Sequence, residues 1–255
     1  MDNEIAETAK ATQEVAKTVR SGVEGAREFG GFLSRVLGES IETAVGMLSD
    51  KLKFMRFERG VRLAARYNEI MAQRGLKSDY QSVPLKLALP IIEQATIEED
   101  NELQDLWANL LASAHDPALN GIVRTAFVDI LKQMETVDVH VLNFVYTYIL
   151  KVNLPNAEKW QVENGRDVRL APIKYSVRGD KVRSSLSISD NIYECSVDNL
   201  IRLRCLAFYV EDIYLPVSFS GETASLVHDH NEITITSLGW NFVRACTLPD
   251  AKQSK

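Results

Sequence analysis

Six carboxylates lie close together between residues 93 and 105, and clustered carboxylates can bind divalent metals or act in acid–base catalysis. They are Glu93, Glu98, Glu99, Asp100, Glu102 and Asp105. At helical spacing Glu98, Glu102 and Asp105 fall along one edge of a helix, and the apolar residues around Trp107 take the opposite face. The spacing therefore favours a solvated helix face over a metal or catalytic site.

Two histidines offer another metal-ligating pattern. His228 and His230 would lie on one face of a strand, where Asp229, Glu232 or Cys246 could complete a site. Their position also matches the tip of a hairpin, where histidine and aspartate are common turn residues. Because the sequence has no second spaced pair of ligands, we expect a turn here and no bound metal.

No other motif for catalysis or cofactor binding is present. His115 and His140 have no nucleophile in a recognisable local motif, and the sequence has neither a Walker loop nor a GxGxxG fingerprint. The three cysteines lie in apolar contexts without a CxxC pair, which is typical of reduced thiols in a cytoplasm. We therefore expect a cytoplasmic protein that is not an enzyme and binds no cofactor.

Charge is unevenly distributed along the 255 residues. The 35 acidic and 29 basic side chains give a net charge of −6, which argues against a general binder of polyanions. By segment, residues 1–50 carry −4, residues 51–77 carry +6, residues 79–138 carry −8 and residues 139–255 are balanced. A cationic segment beside an anionic one can pair within the fold or present two faces of opposite sign to partners.

The cationic segment is the leading candidate for a binding site. Six of its eight basic residues alternate with apolar ones on a predicted helix and are Lys51, Lys53, Arg56, Arg59, Arg62 and Arg66. Such a helix can lie at an anionic membrane surface, where each basic side chain contributes about 1 kcal/mol, or it can bind a partner. Alternatively, the arginines pair with the acidic residues of 79–138 in the same fold. The sequence leaves both interpretations open.

Helices must position these residues. Residues 4–20 have the composition of a weak, solvent-facing helix, and residues 21–46 are rich in glycine. From Phe32 onward, apolar residues recur at three- and four-residue steps, which predicts a long amphipathic helix to about Met71 with Gly75 as its C-cap. No apolar run reaches the roughly 18 to 20 residues of a membrane-spanning helix.

Proline and acidic residues mark the next helices. Because proline fits the first turn of a helix, a short helix is expected after Pro90. The next helix is expected to begin near Glu98 and to end at Asp116-Pro117. A third is expected over residues 123–134 and a fourth over residues 137–150.

After Pro155 the sequence changes to strand-like segments separated by turns. One hairpin is expected around Asn164-Gly165, and a second over residues 173–188 with its turn at Gly179-Asp180. A helix capped by Ser196 is expected to follow.

The remaining elements resemble a winged-helix module in their order. Residues 208–219 are predicted to form a strand. Residues 224–227 are expected to pair with a strand over residues 232–236. A short helix capped by Thr236 or Ser237 ends the pattern. Helix, β-hairpin and helix in that order favour a winged-helix-like α+β domain.

The predicted fold is therefore mainly α-helical with an α+β C-terminal part. Residues 1–77 form an amphipathic helical region, residues 78–150 a small helical bundle, and residues 151–248 a winged-helix-like domain. Residues 249–255 are expected to be a disordered tail.

Five stretches resemble the pattern of a known family. They are Val83–Glu93, Glu98–Ala112, Arg124–Met134, Asp198–Leu203 and Ser237–Cys246. Taken together they resemble the abortive infection alpha family, a bacterial group associated with phage defence. The resemblance implies a part in abortive infection, in which an infected cell dies or stops growing. It implies no reaction and no catalytic residues.

The residues that the family pattern emphasises suggest packing roles. They are Pro90, Glu102, Trp107, Asn109, Leu110, Phe127, Leu131 and Gly239. The indole N–H of Trp107 needs a partner in a bundle core, and a buried amide such as that of Asn109 can bridge helices. Where this sequence has Arg204-Cys205, the family pattern leads us to expect a turn that contains glycine.

The favoured hypothesis is a non-enzymatic sensor or effector of phage defence. It would act on an unidentified protein partner, a phage component, an anionic surface at the inner face of the membrane, or a second copy of itself. The alternative is a nucleic-acid-binding regulator in which Arg202 and Arg204 contact the phosphate backbone. Nucleic acid is the less favoured partner, because the winged-helix-like part is near neutral and its turn at 228–231 is not basic.

Overall fold

The computed structural model describes residues 24–25, 27–37, 57–76, 82–119, 121–153, 176–209 and 232–247. These residues are mainly helical and carry a small three-stranded antiparallel sheet in the C-terminal part, which confirms the predicted fold class. The chain divides into two compact units. Unit 1 comprises residues 1–132 and 245–255, and unit 2 comprises residues 133–244.

Unit 1 is a helical bundle around one apolar core. Its helices are α1 (residues 27–37), α2 (Phe57–Gln73), α3 (Leu85–Ile97), α4 (Asn101–His115) and α5 (Thr125–Leu131), with a 3₁₀ turn at Pro117–Leu119. Its largest fully buried side chains are Phe32, Leu63, Tyr67, Ile70, Ile91, Ile92, Trp107, Leu110, Leu111, Phe127 and Leu131. Each large apolar side chain contributes about 1.5–3 kcal/mol when it is buried, so this core is the main stabilising feature of unit 1.

Aromatic packing joins α1 to α2. The ring of Phe32 meets the ring of Tyr67 edge-on, with their centroids 5.4 Å apart. A Cβ atom at Gly60 would lie 2.9 Å from the ring of Phe29. The absence of a side chain at position 60 therefore allows α1 to approach α2 closely.

Helix α3 begins earlier than predicted. It starts at Leu85, directly after Pro84, and Pro90 lies inside it. Proline in a helix interior removes a hydrogen bond and costs about 3 kcal/mol or more. Here the same helix buries Leu87 and Ile91 in the core, and that burial offsets the cost of the proline.

Helices α2 and α4 end where their sequences predict. Gly75 follows α2 with a φ of 72°, and its N–H and that of Leu76 donate to carbonyls of α2 at 3.0 Å, so Gly75 is the predicted C-cap. The Asp100 carboxylate accepts hydrogen bonds from the first backbone N–H groups of α4. Asp116, before Pro117, ends this helix.

Unit 2 alternates helices and short strands. Its elements are α6 (Thr136–Tyr148), a π-helical turn (Ile149–Asn153), β1 (Val177–Arg178), α7 (Gly179–Leu186), α8 (Asp190–Arg202), β2 (Leu206–Phe208), β3 (Glu232–Ile235) and α9 (Ser237–Cys246). Strand β3 is central, because Ile233 pairs with Val177 of β1 and with Phe208 of β2, both antiparallel. The final residues of α9, Ala245 and Cys246, belong to unit 1.

Two predictions for unit 2 are wrong. Residues 182–188 do not form the second strand of a hairpin, because α7 covers most of them. Val182 and Leu186 are four residues apart, which suits one helix face better than alternation. Ser189 caps α8 by accepting a hydrogen bond from the N–H of Ile192, whereas Ser196 is buried inside that helix.

The predicted strand near residue 232 and the last helix are confirmed. The hairpin at Asn164-Gly165, the strand at 224–227 and the turn at 228–231 lie outside the described residues.

Candidate functional site

The cationic segment is described only from Phe57 onward. Lys51, Lys53 and Arg56 lie outside the described residues. Arg59, Arg62 and Arg66, here called the arginine ladder, follow one another along α2 and bond to residues of α4. The predicted binding residues that the structure describes therefore form one row along the contact between two helices.

Asp105 of α4 is the centre of this contact. Its Oδ1 lies 2.9 Å from Nη2 of Arg62, and its Oδ2 lies 2.9 Å from Nη2 of Arg66. Arg66 also donates from Nε to Oδ1 at 3.1 Å and pairs with Glu69. The hydrogen bond to Asp105 raises the pKa of Arg66 above its usual value. A bidentate guanidinium–carboxylate pair is the strongest geometry for such a contact.

A buried amide completes the contact, and sequence reasoning missed it. Gln104 is fully buried, and its Nε2 donates to the carbonyls of Arg59 at 3.1 Å and Ala95 at 2.7 Å. Its Oε1 accepts a hydrogen bond from Nη1 of Arg62 at 2.6 Å. The available signal was a polar residue beside Leu103 on the apolar face of α4. Gln104 therefore joins α2, α3 and α4.

The arginine ladder divides into two parts. Arg62 and Arg66 pair with a carboxylate of the acidic segment, which is the intramolecular interpretation that the sequence left open. Arg59 donates from Nη1 to the neutral amide oxygen of Asn101 at 2.8 Å. Among the described side chains, no carboxylate forms an ion pair with Arg59. Within the described ranges, Arg59 therefore differs from Arg62 and Arg66 in bonding to a neutral group.

The family-pattern residues of unit 1 lie mostly in the core. Trp107, Leu110, Phe127 and Leu131 are buried, whereas Glu102 is exposed and Pro90 is half-buried. Asn109 bonds within its own helix, since its Nδ2 donates to the Asp105 carbonyl of α4 at 3.0 Å, and among the described residues it makes no bond to another helix.

Gly239 in unit 2 permits a close contact between backbones. A Cβ atom there would lie 2.2 Å from the carbonyl oxygen of Cys205. The hydroxyl of Thr236 accepts a hydrogen bond from the N–H of Gly239 at 3.0 Å and caps α9. The start of α9 can therefore rest directly on the chain before β2.

Arg202 is engaged within unit 2. Its Nε and Nη2 donate to Oδ1 of Asn199 at 3.2 and 2.6 Å, and its Nη1 donates to Oε1 of Gln133 at 2.8 Å. Nδ2 of Asn199 donates in turn to the buried carboxylate of Asp138 at 2.8 Å. This network connects the C-terminal end of α8 with the N-terminal end of α6.

Arg204 has an exposed side chain and a left-handed backbone with a φ of 61°. Glycine adopts this conformation most easily, so the expectation of a glycine turn at this position has a structural reason. The exposed face of α8 before it carries Asp190, Glu194 and Asp198 at four-residue steps. This face is acidic, which opposes binding to a phosphate backbone.

Arg74 is a second buried polar residue that sequence reasoning missed. Its side chain is 2% exposed, and Nη1 lies 3.5 Å from Oδ2 of Asp116. Burial lowers the pKa of Arg74 below its usual value, and the Asp116 charge opposes this effect. The cationic segment thus contributes one arginine to the interior of unit 1.

The described residues contain no group of three or more His, Cys, Asp or Glu side chains that could hold a metal ion. His228 and His230 lie outside this part of the chain. No helix in the described ranges is long and apolar enough to cross a membrane.

Comparison with known protein families gives a match over most of the chain. The model of the family described as abortive infection alpha matches residues 58–246, which is most of the chain. The chain belongs to the abortive infection alpha family. The match includes the whole α2–α4 contact and both arginines that bind Asp105. No curated protein and no solved structure matches this member of the abortive infection alpha family.

Proposed function

We propose that this chain is a phage-defence protein that stops or kills the infected cell through protein or membrane contacts, without catalysis. The observation that carries the proposal is the family match over residues 58–246, which indicates an abortive-infection-type role. The protein would act in the cytoplasm or at the inner face of the membrane.

Phage challenge tests the role itself. Cells that express the chain should give fewer plaques than cells with an empty vector, and at high phage input the infected culture should stop growing before phage are released. A matched strain expressing Gly239→Ala, which disturbs the packing at Cys205, should lose protection. Equal plaque counts with and without the wild-type chain, across a panel of phages, would contradict the defence role.

The contact surface is proposed to lie around Arg59 and the basic residues before it. Support comes from the division of the ladder: Arg62 and Arg66 already bind Asp105, while Arg59 bonds to a neutral amide. A phosphate group would have to displace the Asp105 carboxylate to reach Arg62 or Arg66, whereas at Arg59 it would meet no such competitor among the described side chains.

Co-sedimentation with vesicles of phosphatidylglycerol and phosphatidylcholine tests the membrane form of this proposal. The variant set changes Lys51, Lys53, Arg56 and Arg59 to Gln. If each basic residue contributes about 1 kcal/mol near anionic lipid, this set should lower the partition coefficient by two to three orders of magnitude, roughly. Arg62→Gln is the matched control and should bind almost as the wild type does. If wild-type protein does not sediment with the vesicles, the partner is a protein and not the membrane.

Unit 2 is proposed to be a winged-helix-like module that docks a protein. Its order of helix, strand, two helices, two strands and helix supports this description. The acidic face of α8 and the internal bonds of Arg202 support protein over nucleic acid. A gel shift at low salt tests the choice: duplex DNA binding that is lost in the Arg202→Ala, Arg204→Ala double variant would restore the nucleic-acid alternative.

A further inference from the structure

Residues 245–247, here called the strap, are a short segment of unit 1. Ala245 and Cys246 are buried. The hydroxyl of Ser113 donates to the carbonyl of Ala245 at 2.6 Å, and Nη2 of Arg74 donates to the carbonyl of Thr247 at 3.3 Å. The Ala245 carbonyl belongs to the last turn of α9, where such groups have no partner inside the helix, and Thr247 directly follows the helix.

The guanidinium beside the strap is incompletely compensated. Nε and Nη1 of Arg74 are buried, and within the described part of the chain Nε has no hydrogen-bond acceptor and Nη1 has only the distant Asp116 carboxylate. The Asp116 carboxylate, at 3.5 Å from Nη1, is farther than the 2.7–2.9 Å, roughly, of a strong charge-assisted hydrogen bond. Arg74 directly follows α2 and Asp116 ends α4, so the negative ends of two helix dipoles make a cation tolerable here. They do not supply the missing acceptors.

Opening the strap would relieve this strain on Arg74. Water would hydrate the buried guanidinium and bond to Nε and Nη1, and desolvation of a buried charge is among the largest penalties in a protein interior. Opening would also break the hydrogen bonds that Ser113 donates to Ala245 and Arg74 donates to Thr247, and it would expose the small buried side chains of Ala245 and Cys246. Local opening should therefore need less free energy than unfolding of the helical core beneath it.

We propose that residues 245–247 are a releasable strap that opens and closes on unit 1 while α2, α3 and α4 stay folded. Opening exposes a groove that contains Arg74, Ser113 and Asp116. This inference does not rest on the phage-defence role, since it concerns only contacts within unit 1.

Modification of Cys246 by N-ethylmaleimide, followed by peptide mass spectrometry, measures the opening. A reference thiol introduced by Ala108→Cys in the buried face of α4 reports unfolding of unit 1. Cys246 should react at least about tenfold faster than the reference thiol, which corresponds to opening that is about 1.4 kcal/mol easier. Equal rates at the two positions would show that the strap opens only when unit 1 unfolds, and would overturn the proposal.

Two variants test which groups control the strap. Ser113→Ala removes the hydrogen bond to Ala245 and should raise the rate at Cys246 by about two- to tenfold, with the reference thiol unchanged. Arg74→Met removes both the buried charge and its hydrogen bond to Thr247, and because the cost of the buried charge exceeds the gain from that one bond, it should lower the rate at Cys246. An unchanged rate in Ser113→Ala, or an unchanged or higher rate in Arg74→Met, would overturn the assignment of these groups.

Discussion

Arg204, the left-handed residue after α8, allows the cost of its backbone conformation to be measured. The N–H of Cys205 donates to the carbonyl of Leu200 at 2.8 Å, and the N–H of Arg204 donates to the carbonyl of Ile201 at 2.9 Å. These two bonds define a Schellman motif, in which glycine is the usual residue at the position that Arg204 occupies. We predict that Arg204→Gly stabilises unit 2.

The magnitude follows from two opposing effects. A left-handed backbone costs an L-residue about 1–2 kcal/mol, and glycine avoids this cost. Glycine also makes the unfolded chain more flexible, which lowers the gain in the free energy of unfolding by about 0.4–1 kcal/mol. The net increase in the free energy of unfolding should be about 0.5–1 kcal/mol. For a protein of this size the midpoint should rise by about 1–4 °C.

The assay is urea unfolding followed by far-ultraviolet circular dichroism, with three variants. Arg204→Ala removes the side chain but keeps the left-handed cost, so it should match the wild type within about 0.5 kcal/mol. Gly75→Ala imposes that cost at the end of α2 and should destabilise unit 1 by about 0.5–1 kcal/mol. If Arg204→Gly is no more stable than Arg204→Ala, the assignment of strain to the backbone is refuted.

Three further predictions concern packing, charge and pH. Gly239→Ala should destabilise unit 2 by about 1–3 kcal/mol in urea unfolding, because the methyl group meets a backbone oxygen at 2.2 Å. Its matched control is Gly30→Ala, where a Cβ meets nothing within 4 Å and unit 1 should be unchanged or slightly more stable. Asp105→Asn should cost about 1 kcal/mol at low salt and less at 1 M NaCl, because its arginine pairs are partly exposed and screened; an equal cost at both salt concentrations would contradict this account. Burial lowers the pKa of His115 below about 6.5, so the unfolded chain binds a proton that the folded chain does not. Stability should therefore fall as pH drops from 7 through the lowered pKa, and His115→Gln should flatten this dependence; parallel profiles would disprove it.

Helix ends in unit 1 could be predicted from sequence because they depend on local chemistry. Gly75 ends α2, and Asp116-Pro117 ends α4, through backbone preferences that neighbouring residues decide. The helix was predicted to begin after Pro90 because proline disfavours a helix interior. That local preference is real, but its free-energy cost is smaller than the gain from burying apolar side chains in the core. A helix that buries Leu87 and Ile91 on both sides of the proline gains more than the missing hydrogen bond costs.

The C-terminal part was harder to predict because its segments are short. The run at 182–188 has few apolar residues, so helix and strand periodicities are poorly separated. Strand β1, which precedes this run, has only two residues, and it forms a strand because it pairs with the distant strand β3. Ser189 and Ser196 both suit a helix cap by residue type, and the tertiary fold decides which one lies at the helix start.

The candidate site was predictable in kind but not in detail. Segment charges of +6 and −8 indicated that α2 and α4 could attract each other. They could not indicate that one carboxylate, Asp105, takes two arginines, because that depends on the side-by-side packing of the two helices. Gln104 and Arg74 were missed for a related reason. A buried polar residue is recognisable only when its partners, distant in sequence, are known.

The pairing at Asp105 changes what the cationic segment can offer to an anion. Arg62, Arg66, Asp105 and Glu69 together sum to no net charge, so the C-terminal part of the ladder attracts an external phosphate weakly. Rising salt concentration should therefore lower both the stability of unit 1 and the affinity for an anion. It should weaken the internal pairs and so destabilise unit 1, and it should separately weaken binding that depends on Arg59 and the basic residues before it. Substitution of Asp105 couples the two effects, because it frees two arginines for an anion while it loosens the α2–α4 contact.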